Sequence, residues 1–170
     1  DRSNETLRDH LLWQLELERF DDRSRMIGEA IIDAINDDGY LVDELDVIRQ
    51  TLEPDVIATV EETEAVLAQI QRFDPVGCGA RSVSECVLRQ LEQIEPDTPG
   101  LELARAITAE HLELVAEHQF GALKRLLKAT DTDLEAALAL VRSCHPRPGS
   151  AVHAPAAEYV VPDVFVRRSD

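Results

Sequence analysis

Aromatic residues are scarce in this chain, at 4% of 170 positions. Its 44% hydrophobic content comes instead mostly from Leu, Ile, Val and Ala, a mix that favours helices over a β-sandwich. That share still supplies a core for one domain or two small ones, and it argues against wholesale disorder. Cysteine is rare as well. Cys78, Cys86 and Cys144 make an odd number without C-x-x-C spacing, which argues against a disulfide framework and a zinc site and fits a reducing cytoplasm. No apolar run approaches the ~18 residues that a membrane helix needs. Basic side chains are few: 17 Lys and Arg stand against 34 Asp and Glu, for a net charge of −17. Such a chain is repelled by nucleic acid and by anionic membrane, and it suits a basic protein partner better. The opening DRSNETLRDH is too polar for a signal peptide. With no initial Met, and an end just after a strand-like run, the chain reads as a piece of a longer protein.

What is present is helical periodicity. Leu7, Leu11, Leu12 and Leu15 fall on one face of a first helix. Met26, Ile27, Ala30, Ile31, Ala34 and Ile35 make the stripe of a second, which Asp21 or Asp22 can cap and Gly39 ends as a left-handed C-cap. Leu45, Ile48 and Leu52 mark a short third helix. Val66, Leu67, Ile70 and Phe73 mark a fourth that starts at a capping box, Thr59-x-x-Glu62. Ser82-x-x-Glu85 opens a fifth, with Val83, Val87, Leu91 and Ile94 inward. The break EPDTPG then makes the best internal boundary. Thr98 and Pro99 read as N-cap and first residue of a sixth helix reaching about His118, with Leu103, Ile107, Leu114 and Val115 on one side. FGALKRLLKAT is a seventh helix, and Thr132-x-x-Glu135 opens an eighth. From His145 onward Pro146, Pro148, Pro155 and Pro162 forbid a long helix. The expected architecture is therefore all-α, with about eight helices in two small subdomains (1–96 and 97–150) and an extended tail (151–170).

The stretch RFDPVGCGARSVSEC, residues 72–86, joins the fourth and fifth helices. A helix precedes it and no Lys follows, so it is no phosphate loop. Cys78 and Cys86 lie eight apart without a nearby His, so it is no metal site. On these grounds it is a structural corner: Asp74 before Pro75 stops one helix, the glycines permit unusual backbone angles, and Ser82 starts the next helix. His111 and His118 are about two turns apart, roughly 10 Å, too far to share a metal ion, and they read as partly buried neutral side chains. No nucleophile or metalloprotease signature appears. Residues 120–143, with Lys124, Arg125 and Lys128, could form a helix-turn-helix DNA reader. Against this, Asp131, Asp133 and Glu135 would meet phosphates at the start of its second helix. Asp37 to Glu64 carries ten carboxylates (Asp37, Asp38, Asp43, Glu44, Asp46, Glu53, Asp55, Glu61, Glu62 and Glu64) against Arg49 alone. That face is either simply solvated or a dock for a basic partner.

Five blocks, LRDHLLWQLEL, AIIDAINDDGYL, VLAQIQRFDPVGCGARSVSECVLRQL, RPGS and EYVVPDVFVRR, occur in an order that resembles the core-binding region of bacterial sigma-54 transcription initiation factors. The resemblance runs from about Leu7 to Arg168. Asp74, Pro75, Gly77, Ala80, Arg81, Glu85, Cys86, Leu88, Gln90 and Leu91 match the family's pattern at the corner, where Cys78 and Gly79 replace Val and Ala. Pro146, Arg147, Pro148 and Gly149 match a later motif, from which Cys144 and His145 depart.

The resemblance implies an all-helical, non-enzymatic, cytoplasmic and monomeric module that binds the β and β′ subunits of core RNA polymerase, with no cofactor or small-molecule ligand. It also implies that promoter DNA and an ATP-hydrolysing AAA+ activator act through other parts of such proteins, including a DNA-binding domain beyond the tail. Asp74, Arg81, Glu85, Arg89 and Arg147 are the residues expected to touch polymerase or brace the two subdomains, Arg because its fork matches carboxylates.

Overall fold

A computed structural model describes residues 5–153. The described residues form ten helices: α1 Leu7–Leu17, α2 Asp22–Asp33, α3 Leu45–Leu52, α4 Val60–Ile70, α5 Val83–Leu91, α6 Leu101–Glu110, α7 Leu112–Ala116, α8 Phe120–Leu127, α9 Asp131–Arg142 and α10 Ser150–His153. They include no strand, and an isolated antiparallel bridge joins Ile35 and Leu41. The block EYVVPDVFVRR and the extended tail lie outside the described residues, apart from the helical turn of α10 at the tail's start.

Packing divides the described residues into two units, 5–79 with 147–153, and 80–146. This division differs from a boundary at 96/97. The break EPDTPG is a real interruption, but α5 on its near side packs against α6 and α9 on its far side. Arg147, Pro148 and Gly149 join the first unit.

In the first unit α2 is central and packs on α1, α3 and α4. Side chains fix the helix starts. The Thr6 hydroxyl accepts from the Asp9 N–H while the Asp9 carboxylate accepts from the Thr6 N–H, and Thr59 and Glu62 repeat this box on α4. Asp21 caps α2 through the Ser24 N–H. The core gathers Leu7, Leu11, Leu15, Ile27, Ile31, Ile32, Ile48, Leu67 and Ile70, each contributing about 1.5–3 kcal/mol by burial.

Two expectations fail here. Met26 is 40% exposed whereas Ile32 is buried. The α2 stripe is rotated because Leu15 seats against Gly28, where a Cβ would stand 2.8 Å from Leu15 Cδ1. Nor does Gly39 cap α2, which ends at Asp33 with Ala34 as its C-cap. Instead the Asn36 side-chain oxygen accepts the N–H groups of Asp38, Gly39 and Tyr40, folding a tight turn with Gly39 at φ +104°.

In the second unit α6 packs on α5 and α9 around Val87, Leu91, Leu101, Ala104, Ile107, Leu123 and Ala137. Val83, expected inward, is exposed, and Cys86 is buried in its place. Gly100, not Thr98, is the N-cap of α6. Its φ is +88°, and a Cβ there would stand 2.8 Å from the Ala137 nitrogen, so α6 starts where the chain touches the backbone of α9. The single sixth helix divides at His111, whose φ of −132° breaks the α-helical path. The start of α9 lies two residues earlier than expected: Thr130 accepts from the Asp133 N–H. The spacing Thr-x-x-acid occurs twice in register here, and the first instance wins.

Candidate functional site

The corner is tied down by side-chain amides. Gln14 on α1 donates to the Asp74 carbonyl and accepts from the Asp74 N–H at 2.8 Å. Asp74 precedes a proline, which biases it to extended backbone, where its N–H and C=O face the same side and one carboxamide can pair with both. The Asp74 carboxylate, largely exposed, meets His10 Nε2 at 3.2 Å, and His10 Nδ1 faces Glu5 at 3.5 Å. Beyond Pro75, Gly77 and Gly79 take φ of +102° and +94°. The buried Gln71 donates to the Gly79 carbonyl at 3.1 Å, and the Gly79 N–H donates to the Gly39 carbonyl at 2.7 Å.

Three sequence blocks meet at that point. Gly39 from INDDGYL has Cys78 from DPVGCGAR and Pro148-Gly149 from RPGS as its neighbours. A Cβ on Gly39 would lie 3.0 Å from the Gly149 nitrogen and 3.1 Å from Cys78 Sγ, and one on Gly149 would lie 2.5 Å from the Asp37 carbonyl oxygen. The Gly149 N–H donates to the Asp38 carbonyl at 2.9 Å. Cys78 is fully buried and none of the three cysteines is in a disulfide.

The second unit repeats the amide device. Gln90 on α5 donates to the His145 carbonyl and accepts from its N–H, both at 2.7 Å, and His145 too precedes a proline. Cys86 Sγ donates to the same carbonyl at 3.7 Å. Cys144 is half-buried, and that burial pushes its thiol above the ordinary range.

Glu85 and Arg89 lie four residues apart on one side of α5, and Arg81, just before the helix, lines a shallow groove with them and with Ser82, Ser84 and Leu88. Arg81 donates to Glu85 through Nε at 3.1 Å and a terminal nitrogen at 2.7 Å, and its backbone N–H donates to the same carboxylate at 2.8 Å. Burial pushes the Glu85 carboxyl up, but the Arg81 hydrogen bonds outweigh it and hold the group below its ordinary value. Ser82 caps α5 through the Glu85 N–H, yet Glu85 reaches past Ser82 to Arg81, so the expected capping box is half formed. Arg89 bonds Glu92 at 2.8 Å. Arg147 is exposed in the first unit, where its carbonyl accepts from the N–H and hydroxyl of Ser150. The structure thus joins Arg81 and Glu85, sets Arg89 on their face, and places Asp74 and Arg147 in the first unit.

Sequence reasoning did not single out Gln14 or Gln71, and it matched Gln90 to the family pattern without giving it a role. Their signal was available only in the proline that follows two of the clamped residues.

The acidic run from Asp37 to Glu64 is a surface. Its carboxylates are exposed except Glu62, which is partly covered. Glu62 takes both Nε and a terminal nitrogen of Arg23, at 2.6 and 2.9 Å, and with the Thr59 N–H this holds its carboxyl down at about 2. Among the described residues no group of three potential metal ligands occurs, and no helix is long and apolar enough to cross a membrane. His111 is partly covered, as expected, but His118 is exposed, with φ +58° and its ring edge-on to Phe120. Residues 120–142 do form two helices joined by a tight turn. However, Lys124 Nζ is paired with Asp131 at 2.6 Å, and Asp131 and Asp133 fill the first turn of α9. Those carboxylates disfavour phosphate contact, so a DNA-reading role is not favoured.

Comparison with known proteins agrees with this picture. The family model described as "Sigma-54 factor, core binding domain" matches residues 1–170. The RNA polymerase sigma-54 factor of Salmonella typhimurium is 45% identical over 166 residues, covering 98% of this chain and 35% of that protein. The factor of Escherichia coli is 43% identical with the same coverage, and that of Xanthomonas euvesicatoria is 45% identical over 97% of this chain. The chain spans about a third of the length of these relatives. With the corner, the clamped RPGS turn and the α5 ridge all lying in matched sequence, the chain belongs to the family of sigma-54 factor core binding domains.

Proposed function

We propose that this chain is a docking module, not an enzyme, that anchors a sigma-54-type initiation factor to core RNA polymerase in the cytoplasm. The observation that carries this reading is the match of the core binding domain family over the whole chain. The acidic surface of the first unit adds a mechanism. Exposed carboxylates over residues 37–64 steer the module toward basic surfaces of the β and β′ subunits and speed encounter more than they tighten the final complex. The α5 ridge offers a second contact face. Arg81, already forked on Glu85, braces that face, while Arg89, Asp74 and Arg147 stand at the surface as contact candidates. Monomeric docking needs no cofactor or small-molecule ligand. Promoter recognition and the response to an AAA+ activator ATPase are assigned to other segments of longer family members.

A pull-down with core RNA polymerase at low and high salt tests the proposal. Retention at low salt and weaker retention at high salt is the expected result. A folded chain that fails to bind at either salt overturns it.

A further inference from the structure

A groove of about 440 Å³ runs along α2 and α3 in the first unit. Met26, Ala30 and Leu52 form an apolar floor, and Glu29, Asp33 and Asp43 supply carboxylates around it. Met26 is 40% exposed, an unusual position for a flexible thioether that normally fills cores. Among the described residues no cation pairs with Glu29 or Asp43. Asp33 holds only Arg8, through a pair exposed by more than half on both sides, which makes it weak and exchangeable.

A floor of this kind ringed by carboxylates matches one side-chain chemistry. Lys and Arg lay a hydrocarbon stem on apolar surface and carry their charge at the tip. A purely apolar ligand would bury the three carboxylates at a desolvation cost, and an acidic one would be repelled. We infer that the α2–α3 groove receives an Arg or Lys side chain from a basic amphipathic segment of core RNA polymerase, with its stem over Met26, Ala30 and Leu52 and its cation at Glu29, Asp33 and Asp43. The inference rests on the docking proposal, and it locates the acidic recognition in one groove.

The test is fluorescence anisotropy of the labelled chain titrated with core RNA polymerase at several salt concentrations. The double variant Glu29→Lys, Asp43→Lys is expected to bind about tenfold more weakly and to lose part of the salt dependence. Both positions are exposed, so its thermal midpoint should match the parent's. If it fails to fold, Glu29→Gln, Asp43→Asn takes its place. Parental binding with the parental salt slope in the folded variant overturns the groove assignment alone, whereas failure of the parent itself to bind overturns the docking proposal and this inference with it. A photo-crosslinking amino acid at position 26 supplies the second measurement. Capture of a polymerase peptide carrying Lys or Arg supports the assignment, and capture of one with neither, or no capture from a bound complex, overturns it.

Discussion

Thr108 sits in α6 with its hydroxyl buried and without a hydrogen-bond partner among the described residues. Its backbone carbonyl is well used, accepting from Ser84 Oγ at 2.8 Å, so the orphan is the side chain alone. Thr108→Val keeps the shape and removes the unsatisfied group, and it should stabilise the protein by about 1 kcal/mol in urea unfolding. Glu62 gives a prediction for acid. Its folded carboxyl is held at about 2, against an ordinary 4.5, first by Arg23 and then by the Thr59 N–H. A depressed folded value means that the stabilisation is complete above 4.5 and is lost as pH falls toward 2. Thermal midpoints measured across that window should fall more steeply for the parent than for Glu62→Gln, while at pH 7 the variant should be the less stable of the two. The glutamine clamps teach a lesson in legibility at this scale. A carboxamide that pairs with a backbone some 60 residues away leaves no periodic trace, so Gln14 and Gln90 look like ordinary polar helix residues until the chain is folded.

The helices themselves were largely legible. Apolar spacing found the body of each main helix, and local capping chemistry found the starts of α2 and α4, because both signals act within a few residues. Misreadings arose where a distant contact decided the local choice. Gly28 admits Leu15 and turns the α2 stripe away from Met26; Gly100 meets Ala137 and moves the start of α6. At α9 the two overlapping Thr-x-x-acid patterns gave no basis for choice. The structure selects Thr130, whose hydroxyl accepts from the Asp133 N–H at 3.1 Å. Thr130→Ala should therefore cost about 1 kcal/mol, and Thr132→Ala only a few tenths. Chemical denaturation of the two variants side by side checks this directly. The candidate site was partly legible: Ser82 as the cap of α5 could be read from the sequence, whereas the fork of Arg81 on Glu85 from outside that helix and the convergence of Gly39, Cys78 and Gly149 needed the folded chain.

At the scale of the molecule, the first unit is discontinuous in sequence, because residues 80–146 stand between Gly79 and Arg147. Its closing piece is small but tightly specified. A side chain on Gly149 would meet the Asp37 oxygen at 2.5 Å and Leu7 Cδ2 at 2.7 Å, both parts of the first unit. Gly149→Val should cost more than about 2 kcal/mol in that unit by forcing this contact open. Hydrogen exchange resolves the effect by location: protection should drop at Ile31 and Leu67 and persist at Ala104 and Ile107.

The same discontinuity sets an order of events on the ribosome. A chain emerges from its N-terminus, and contiguous domains ordinarily complete in that order. Here α1 to α4 emerge first yet must wait for Pro148 and Gly149, while α5 to α9 already have all their partners. The later-made unit is thus the first that can finish. In arrested nascent chains of increasing length with Cys86 and Cys144 replaced by Ser, full protection of Cys78 from a thiol reagent should arrive only after residue 149 has cleared the exit tunnel.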